Sequence, residues 1–310
     1  LKELFHRPVL LQEVTQLLVT REDGVYLDCT LGLGGHAEGI LKRVKPPGRL
    51  IGIDRDAQAL ESAKPRLSPY PNTILLQLNF SQIDRLKELA GAEKFTGILF
   101  DLGIGSWQIS QAERGFSYLI DGPLDMRMDQ SQKLSAYQVV NHYSQEELAR
   151  IFKEYGEERL GKRIAREIKQ AKQRIETTSQ LGKIIEEIIS AKNRVKTLSR
   201  IFQAIRMEVN QEIDELKAGL SLAVQATEPK GRIGIISYHS LEDRLVKQTF
   251  QELARKCICP SGSPVCTCGG KAKWRIITKK PVRPSSTEIK ANPSARSAKF
   301  RVIEKLEQPV

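Results

Sequence analysis

The sequence predicts an α/β fold, a doubly wound and mostly parallel sheet with a helical domain inserted into it, and three observations carry that expectation. Apolar runs of strand length alternate with helical patterns up to about residue 103. Three of the first four runs close on an aspartate, Asp28, Asp54 and Asp101, where open parallel sheets hold their ligands. The alternation then gives way to a long helical stretch and resumes near residue 232.

Taken in order, residues 25–30 form a first strand, followed by a glycine turn and a helix over 34–44. Strands at 49–54 and 73–78 precede helices at 56–67 and 82–89, and 97–102 is the fourth strand. From 134 to 199 apolar residues recur at three- and four-residue spacing. Val139, Leu148, Ile151 and Phe152 share one stripe, and Ile164, Ile168, Leu181, Ile184, Ile185, Ile188 and Ile189 lie on others. A long helix is expected over 198–225, then a turn at Pro229-Lys230-Gly231, a fifth strand over 232–237 and a helix over 241–253. Strand candidates at 274–278 and 299–304 complete the sheet as a terminal antiparallel pair, with 281–297 as an extended surface loop between them. The expected division is 1–108 with 200–310 for the sheet domain and 109–199 for the helical insert.

With 310 residues and 40% hydrophobic content, the chain can bury a large core. It has no apolar run of the roughly 18 residues that a membrane span needs, and Leu1 to Pro8 lack the apolar stretch of a secretory signal. A cytoplasmic protein with no membrane association is expected. The net charge of +12 is uneven. Residues 131–200 hold 15 basic against 9 acidic side chains, and 251–310 hold 13 against 4. A sheet region near neutrality flanked by basic segments suits a polyanionic partner; interleaved Glu and Lys/Arg on solvated helix faces is the plainer explanation for 131–200. The apolar stripes of the insert can pack internally or against a second protomer, which leaves a homodimer open.

The turn Gly32-Leu33-Gly34-Gly35-His36-Ala37 lets backbone approach a ligand and aims helix N–H groups at it. Its spacing also fits a relaxed dinucleotide fingerprint, and glycines in a turn often serve only the turn. Asp28, four residues before Gly32, is placed to meet an ammonium group, which S-adenosylmethionine has and NAD lacks. Asp54 can accept both ribose hydroxyls. Phe80, just past strand three, fits against an adenine edge or into the core. Asp101 stands where a donor methyl meets its acceptor, although a turn or cap Asp would look the same. Beside it Tyr238-His239-Ser240 ends strand five, where His239 can relay a proton and Ser240 fits a helix N-cap.

Cys257, Cys259, Cys266 and Cys268 form two Cys-x-Cys pairs. That spacing strains tetrahedral zinc chelation compared with Cys-x-x-Cys, so reduced thiols and no metal are expected.

Several runs together resemble one family. They are Gly34-Gly35-His36, Ile53-Asp54-Arg55-Asp56, Asp101-Leu102-Gly103, Ala112-Glu113-Arg114-Gly115-Phe116-Ser117, the stretch from Asp121 through Gly122-Pro123-Leu124-Asp125-Met126-Arg127-Met128 to Asp129, Tyr155-Gly156-Glu157-Glu158-Arg159, and His239-Ser240-Leu241-Glu242-Asp243-Arg244. Across nearly the whole chain they resemble the RsmH (MraW) family of 16S ribosomal RNA methyltransferases. The resemblance implies a Rossmann-like class I methyltransferase fold, S-adenosylmethionine as cofactor, and methylation of the N4 amine of a decoding-centre cytidine in the small ribosomal subunit. It further implies cofactor contacts at Gly34, Gly35, His36, Asp54, Phe80, Asp101 and Gln108. The chain departs from the family where Gly103-Ile104-Gly105-Ser106-Trp107-Gln108 replaces a Val-Ser-Ser-Pro-Gln type segment, which makes Gly105 and Trp107 unusual and gives Trp107 a stacking face to offer. Tyr238 replaces a Phe.

Cytosine N4 is a weak nucleophile because its lone pair is delocalised into the ring, so acceptors near the amine are required. Asp101 is the candidate acceptor and His239 the candidate relay. Arg127, Arg159, Lys162, Arg163 and Arg166 are candidate phosphate ligands. An NAD-dependent oxidoreductase and a non-catalytic RNA-binding assembly factor remain rival readings.

Overall fold

The computed structural model describes residues 8–256, 259 and 270–308. Its seven strands are β1 (Val25–Asp28), β2 (Arg49–Asp54), β3 (Thr73–Gln77), β4 (Phe95–Asp101), β5 (Thr227–Ser237), β6 (Trp274–Ile276) and β7 (Lys299–Lys305). They form one sheet in the order β3-β2-β1-β4-β5-β7-β6, in which β7 runs antiparallel to both neighbours. The chain divides into two compact units, Leu1–Gly103 with Glu215–Val310, and Ile104–Asp214.

In the sheet unit, strand periodicity sends alternate residues to opposite faces. Ile51, Ile53, Ile98, Phe100, Ile233 and Ile235 join one apolar cluster, while Leu50, Leu99 and Ile236 join another on the reverse face with Tyr26 and Phe300. Burial on both faces explains why β4 reads as the continuous apolar run Thr96-Gly97-Ile98-Leu99-Phe100 rather than alternating.

Four features differ from the sequence expectation. β5 starts at Thr227, because the expected Pro229–Gly231 turn is an irregularity within the strand: Phe95 pairs with Thr227 and Gly97 with Arg232, and Lys230 takes φ 64°. The helix expected over 198–225 is two helices, Arg194–Val209 and Glu212–Ala226, interrupted where Gln211 adopts φ 50°. The unit boundaries lie at 103/104 and 214/215 rather than 108/109 and 199/200, since Leu198, Ile201, Phe202 and Ile205 of that first helix pack into the helical core. The 281–297 segment is not wholly extended. It contains the helix Ser286–Ala291, capped by Ser285 Oγ accepting from Glu288 N, and it buries Ala295. Of the four clustered cysteines, Cys257, Cys266 and Cys268 lie outside the described residues. Among the described residues no helix is long and apolar enough to cross a membrane.

The second unit builds its own core. The expected stripes converge, with Val139, Leu148, Ile151, Phe152, Ile164, Ile168, Leu181 and Ile185 all buried together. Capping fixes where its helices begin: Ser144 Oγ accepts from Glu147 N at 3.1 Å while Glu147 Oε2 accepts from Ser144 N at 2.7 Å. The long loop after residue 115 is held from within. Asn210, 2% exposed, accepts from Met128 N at 2.9 Å and donates to the carbonyls of Met126 and Arg206 at 2.7 and 2.9 Å. Asn210→Ala leaves the Met128 N–H and the Met126 carbonyl without that partner in a dry core. A loss of about 2–4 kcal/mol is expected, read as a lower denaturation midpoint and earlier proteolysis within 104–214; a change under about 0.5 kcal/mol would refute the role.

Candidate active site at the strand ends

β1, β2 and β4 deliver their aspartates to the carboxyl edge of the sheet, and the turn after β1 is moulded around one of them. Gly32 (φ 51°) and Gly34 (φ 74°) take left-handed conformations that favour glycine. Gly32 N then donates to Asp54 Oδ2 at 2.8 Å, and Asp56 N donates to Asp54 Oδ1 at 2.9 Å. A side chain at Gly34 would also press on Leu67 and Ala63, at 3.1–3.3 Å. The helix Gly35–Leu41 follows at once, and Gly35 lies against Pro8 and Arg66.

Asp101 is the hub of the site. Its backbone N donates to Thr30 Oγ1 at 2.6 Å, Tyr238 Oη donates to its Oδ1 at 2.9 Å, and His36 Nε2 stands 3.4 Å from its Oδ2. Gly103, at φ 107°, lies over the Tyr238 ring, where a Cβ would come within 3.3 Å. The electrostatics follow from burial. Desolvation pushes the Tyr238 phenol well above its usual range, reinforced by the Asp101 charge. For His36 burial opposes the imidazolium, yet the Asp101 carboxylate outweighs it and the pKa is raised. Burial lifts the Asp28 carboxyl to about 7, against the opposing pull of His36, and lifts Asp54 to about 6, against the backbone donors of Asp56 and Gly32. Asp28 Oδ1 accepts from Thr30 N at 3.2 Å, whereas its buried Oδ2 has no hydrogen-bond partner, and neither has His36 Nδ1.

The model of the MraW methylase family matches residues 3–306 of this sequence. A Caldicellulosiruptor bescii protein named ribosomal RNA small subunit methyltransferase H is 48% identical over 304 residues, covering 97% of this chain and 99% of that one. Proteins of the same name from Halothermothrix orenii and Clostridium botulinum (strain Loch Maree) are 49% and 48% identical over 308 residues, each covering 98% of this chain and 99% and 100% of theirs. The chain belongs to the MraW methylase family. Its sheet is the mostly parallel one that the sequence predicts, closed by a terminal antiparallel pair in which β7 lies between β5 and β6.

Within this MraW-family chain the predicted residues distribute unevenly. The structure gathers His36 and Asp101 with Tyr238, and it seats Gly34, Gly35 and Asp54 around the glycine turn. Phe80 is 8% exposed and meets Phe100 edge-on at 5.5 Å, so it is also a core aromatic. Gln108 belongs to the second unit, where its Oε1 accepts from Gly105 N at 3.0 Å. His239, not Ser240, is the N-cap of the helix Ser240–Leu253, and both of its ring nitrogens face Glu242. The imidazole beside Asp101 is that of His36. Arg127 is consumed by its own loop, gripping Asp125 through Nε and Nη2 and donating through Nη1 to the carbonyls of Gln130 and Gln132. Arg159, Lys162, Arg163 and Arg166 stay exposed, Arg166 pairing with Glu167 at 3.2 Å.

The Tyr238 hydroxyl was not singled out from sequence as an Asp101 partner. The register offers the signal: Asp101 pairs with Ile236 across β4 and β5, which puts Tyr238 two residues beyond. Removing the Asp101 charge tests the coupling. In Asp101→Asn the burial effect on His36 is no longer outweighed, so the imidazole titrates lower than in the parent, as an NMR titration of the four histidines would resolve. An unmoved His36 would show that Asp101 does not set it.

Proposed function

We propose that this protein transfers a methyl group from S-adenosylmethionine to the N4 amine of a decoding-centre cytidine in the 16S RNA of the small ribosomal subunit, acting in the cytoplasm. The names of the relatives support the substrate class, and one atom carries the donor assignment. Asp28 Oδ2 is buried and lacks a partner, on a carboxyl that burial holds near pH 7, at the mouth of the glycine turn. An ammonium group there satisfies the oxygen and restores the carboxylate. Gly34, Gly35, His36, Asp54, Phe80, Asp101 and Gln108 complete the proposed donor contacts. Both Asp54 oxygens already accept one backbone N–H and keep further lone pairs for ribose hydroxyls.

When bound, the donor supplies a methyl group activated by its sulfonium. The protein's part is alignment, desolvation and handling of the N4 protons. Asp101, still able to accept beyond its bond from Tyr238, takes an N4–H hydrogen bond and draws the amine toward a geometry with a localised lone pair. With the methyl group passing from sulfur to N4, the S–C bond would break as the N–C bond formed, the donor would leave as a neutral thioether, and the surplus proton of the cationic amine would move to the Asp101 carboxylate. Tyr238 fixes that carboxylate, and His36 balances its charge. His239 is occupied by Glu242, so the relay role expected for it passes to His36.

Lys162, Arg163 and Arg166 lie on the exposed side of the helix Gly161–Gln170, opposite buried Ile164, Ala165 and Ile168, and the exposed Arg159 stands just before its start. They are the proposed phosphate contacts. Labelled donor incubated with small-subunit RNA, followed by mapping of the modified nucleotide, tests the whole reading: transfer to cytidine N4 is expected and is abolished in Asp54→Ala. The combined Arg159→Ala, Lys162→Ala and Arg163→Ala variant should raise KM for RNA and flatten its salt dependence by about 2–3 in log–log slope. Transfer to another base, or none, refutes the assignment.

The Asp28 pKa also fixes a sign. A carboxyl at about 7 when folded and near 3.8 when unfolded gives the donor-free protein stability that is full below about 3.8 and lost as pH climbs through about 7. Donor binding needs the ionised form and therefore tightens over the same interval. At least about tenfold stronger binding at about pH 7.5 than at about pH 5.5 is expected by calorimetry, with a weaker and shallower profile in Asp28→Asn, where only the Asp54 step near 6 remains. A parallel profile in that variant would remove Asp28 from the donor site.

A further inference from the structure

Trp107 lies six residues beyond Asp101 in chain order, and its surroundings are built for a flat ring. One side of the indole rests on the guanidinium of Arg114, whose Cζ is 5.8 Å from the ring centroid. Arg114 is only 2% exposed; its Nη2 donates to the carbonyls of Arg127 and Met128 at 3.0 and 3.2 Å, and its Cζ lies 5.7 Å from the Phe116 ring. The cation is thus a fixed base beneath the indole rather than a mobile surface charge. Across the ring edge stands Gly105, where a Cβ would come within 2.7 Å of Trp107 Cδ1 and Nε1. Gly105 and Trp107 form one device, the first clearing the space that the second occupies.

Trp107 is half-buried, and its Nε1–H has no hydrogen-bond partner among the described residues. A tryptophan kept for packing alone gains nothing from an unpaired N–H over a buried cation. A tryptophan presenting a face to an unstacked base gains on both counts. Stacking uses the π surface, the fixed cation below adds positive potential toward a polyanion, and the N–H can donate to a base or phosphate oxygen.

Resting on the RNA methyltransferase reading above, we propose that Trp107, seated on Arg114 and cleared by Gly105, is a stacking platform for a base of the single-stranded RNA substrate. Trp107 positions the substrate and takes no part in methyl transfer itself.

The chain has two tryptophans, and the other, Trp274, is 5% exposed, so Trp274→Phe leaves Trp107 as the reporter. Adding a single-stranded RNA oligonucleotide that spans the methylated cytidine should quench its fluorescence. Trp107→Ala should raise KM for RNA about tenfold with donor affinity unchanged, and Trp107→Phe should recover most of the loss. Gly105→Ser, which forces the indole to move, should match Trp107→Ala, and adding it to Trp107→Ala should cost nothing more. Absence of quenching by an RNA that the parent methylates, or a KM for Trp107→Ala within about twofold of the parent, overturns the platform and leaves the methyltransferase reading intact. A parent that methylates no small-subunit RNA overturns both.

Discussion

The Asp101 carboxylate, held between the Tyr238 hydroxyl and the His36 imidazole, is the interaction on which the candidate site depends. It is possible only because β4 is interior to the sheet, paired to β1 on one side and β5 on the other. β1 brings the turn that carries His36 and Thr30, and β5 brings Tyr238. These side chains reach Asp101 from two other strand ends, those of β1 and β5, so the hub exists only once the parallel order β1-β4-β5 has formed. Parallel strands must be joined by long crossovers, and the Asp101 neighbours lie 65 or more residues away in sequence on either side. Folding and assembly of the site are therefore one event.

Gathering three carboxylates and an imidazole in one corner, with Asp28 and His36 buried, has an energetic consequence. Asp28 and Asp54 are pushed up by desolvation, and backbone donors only partly relieve them. The site is under electrostatic tension: Asp28 Oδ2 and both ring nitrogens of His36 are buried without a hydrogen-bond partner, and Nε2 has only the 3.4 Å approach of the Asp101 carboxylate. Such groups are costly in a protein core unless something else completes them. A cationic ligand at Asp28 would release desolvation cost already present in the folded protein, and preorganisation of this kind supports tight donor binding without rearrangement.

The sequence was legible where one local rule acted alone. Strand ends at Asp28, Asp54 and Asp101 followed from apolar runs that stop at a carboxylate, and the helical stripes of the insert appeared as a core because period 3.6 is visible in Ile164, Ile168, Leu181 and Ile185. It was misleading where two rules competed. Pro229-Lys230-Gly231 carries turn composition, yet ladder pairing on both sides carries β5 through it. The 281–297 segment is rich in Pro and Ser, yet Ser285-x-x-Glu288 is a cap that starts a helix, and Glu288 Oε1 also accepts from Leu10 N at 2.8 Å. Arg127 looked like a phosphate ligand because exposure cannot be read from a single charged residue; Asp125, two positions away, claims it. His239 had the right neighbourhood in sequence and the wrong direction, since Glu242 three residues later turns it into a cap.

The helix Gly161–Gln170 shows the same competition between two rules. Lys162 and Arg163 occupy its first turn, where the helix dipole favours acidic side chains, and that turn contains none. Two cations so placed cost the helix about 0.3–1 kcal/mol each. Close packing offsets this, with Gly161 against the Phe152 Cβ, where a side chain would come within 2.9 Å, and Ile164 and Ile168 in the core. A solvated face shaped by helix stability alone would carry Glu or Asp at these positions, as the Ser144-capped helix does with Glu146 and Glu147. The phosphodiester contact proposed for Lys162 and Arg163 would neutralise both charges and remove the penalty they impose on their own helix.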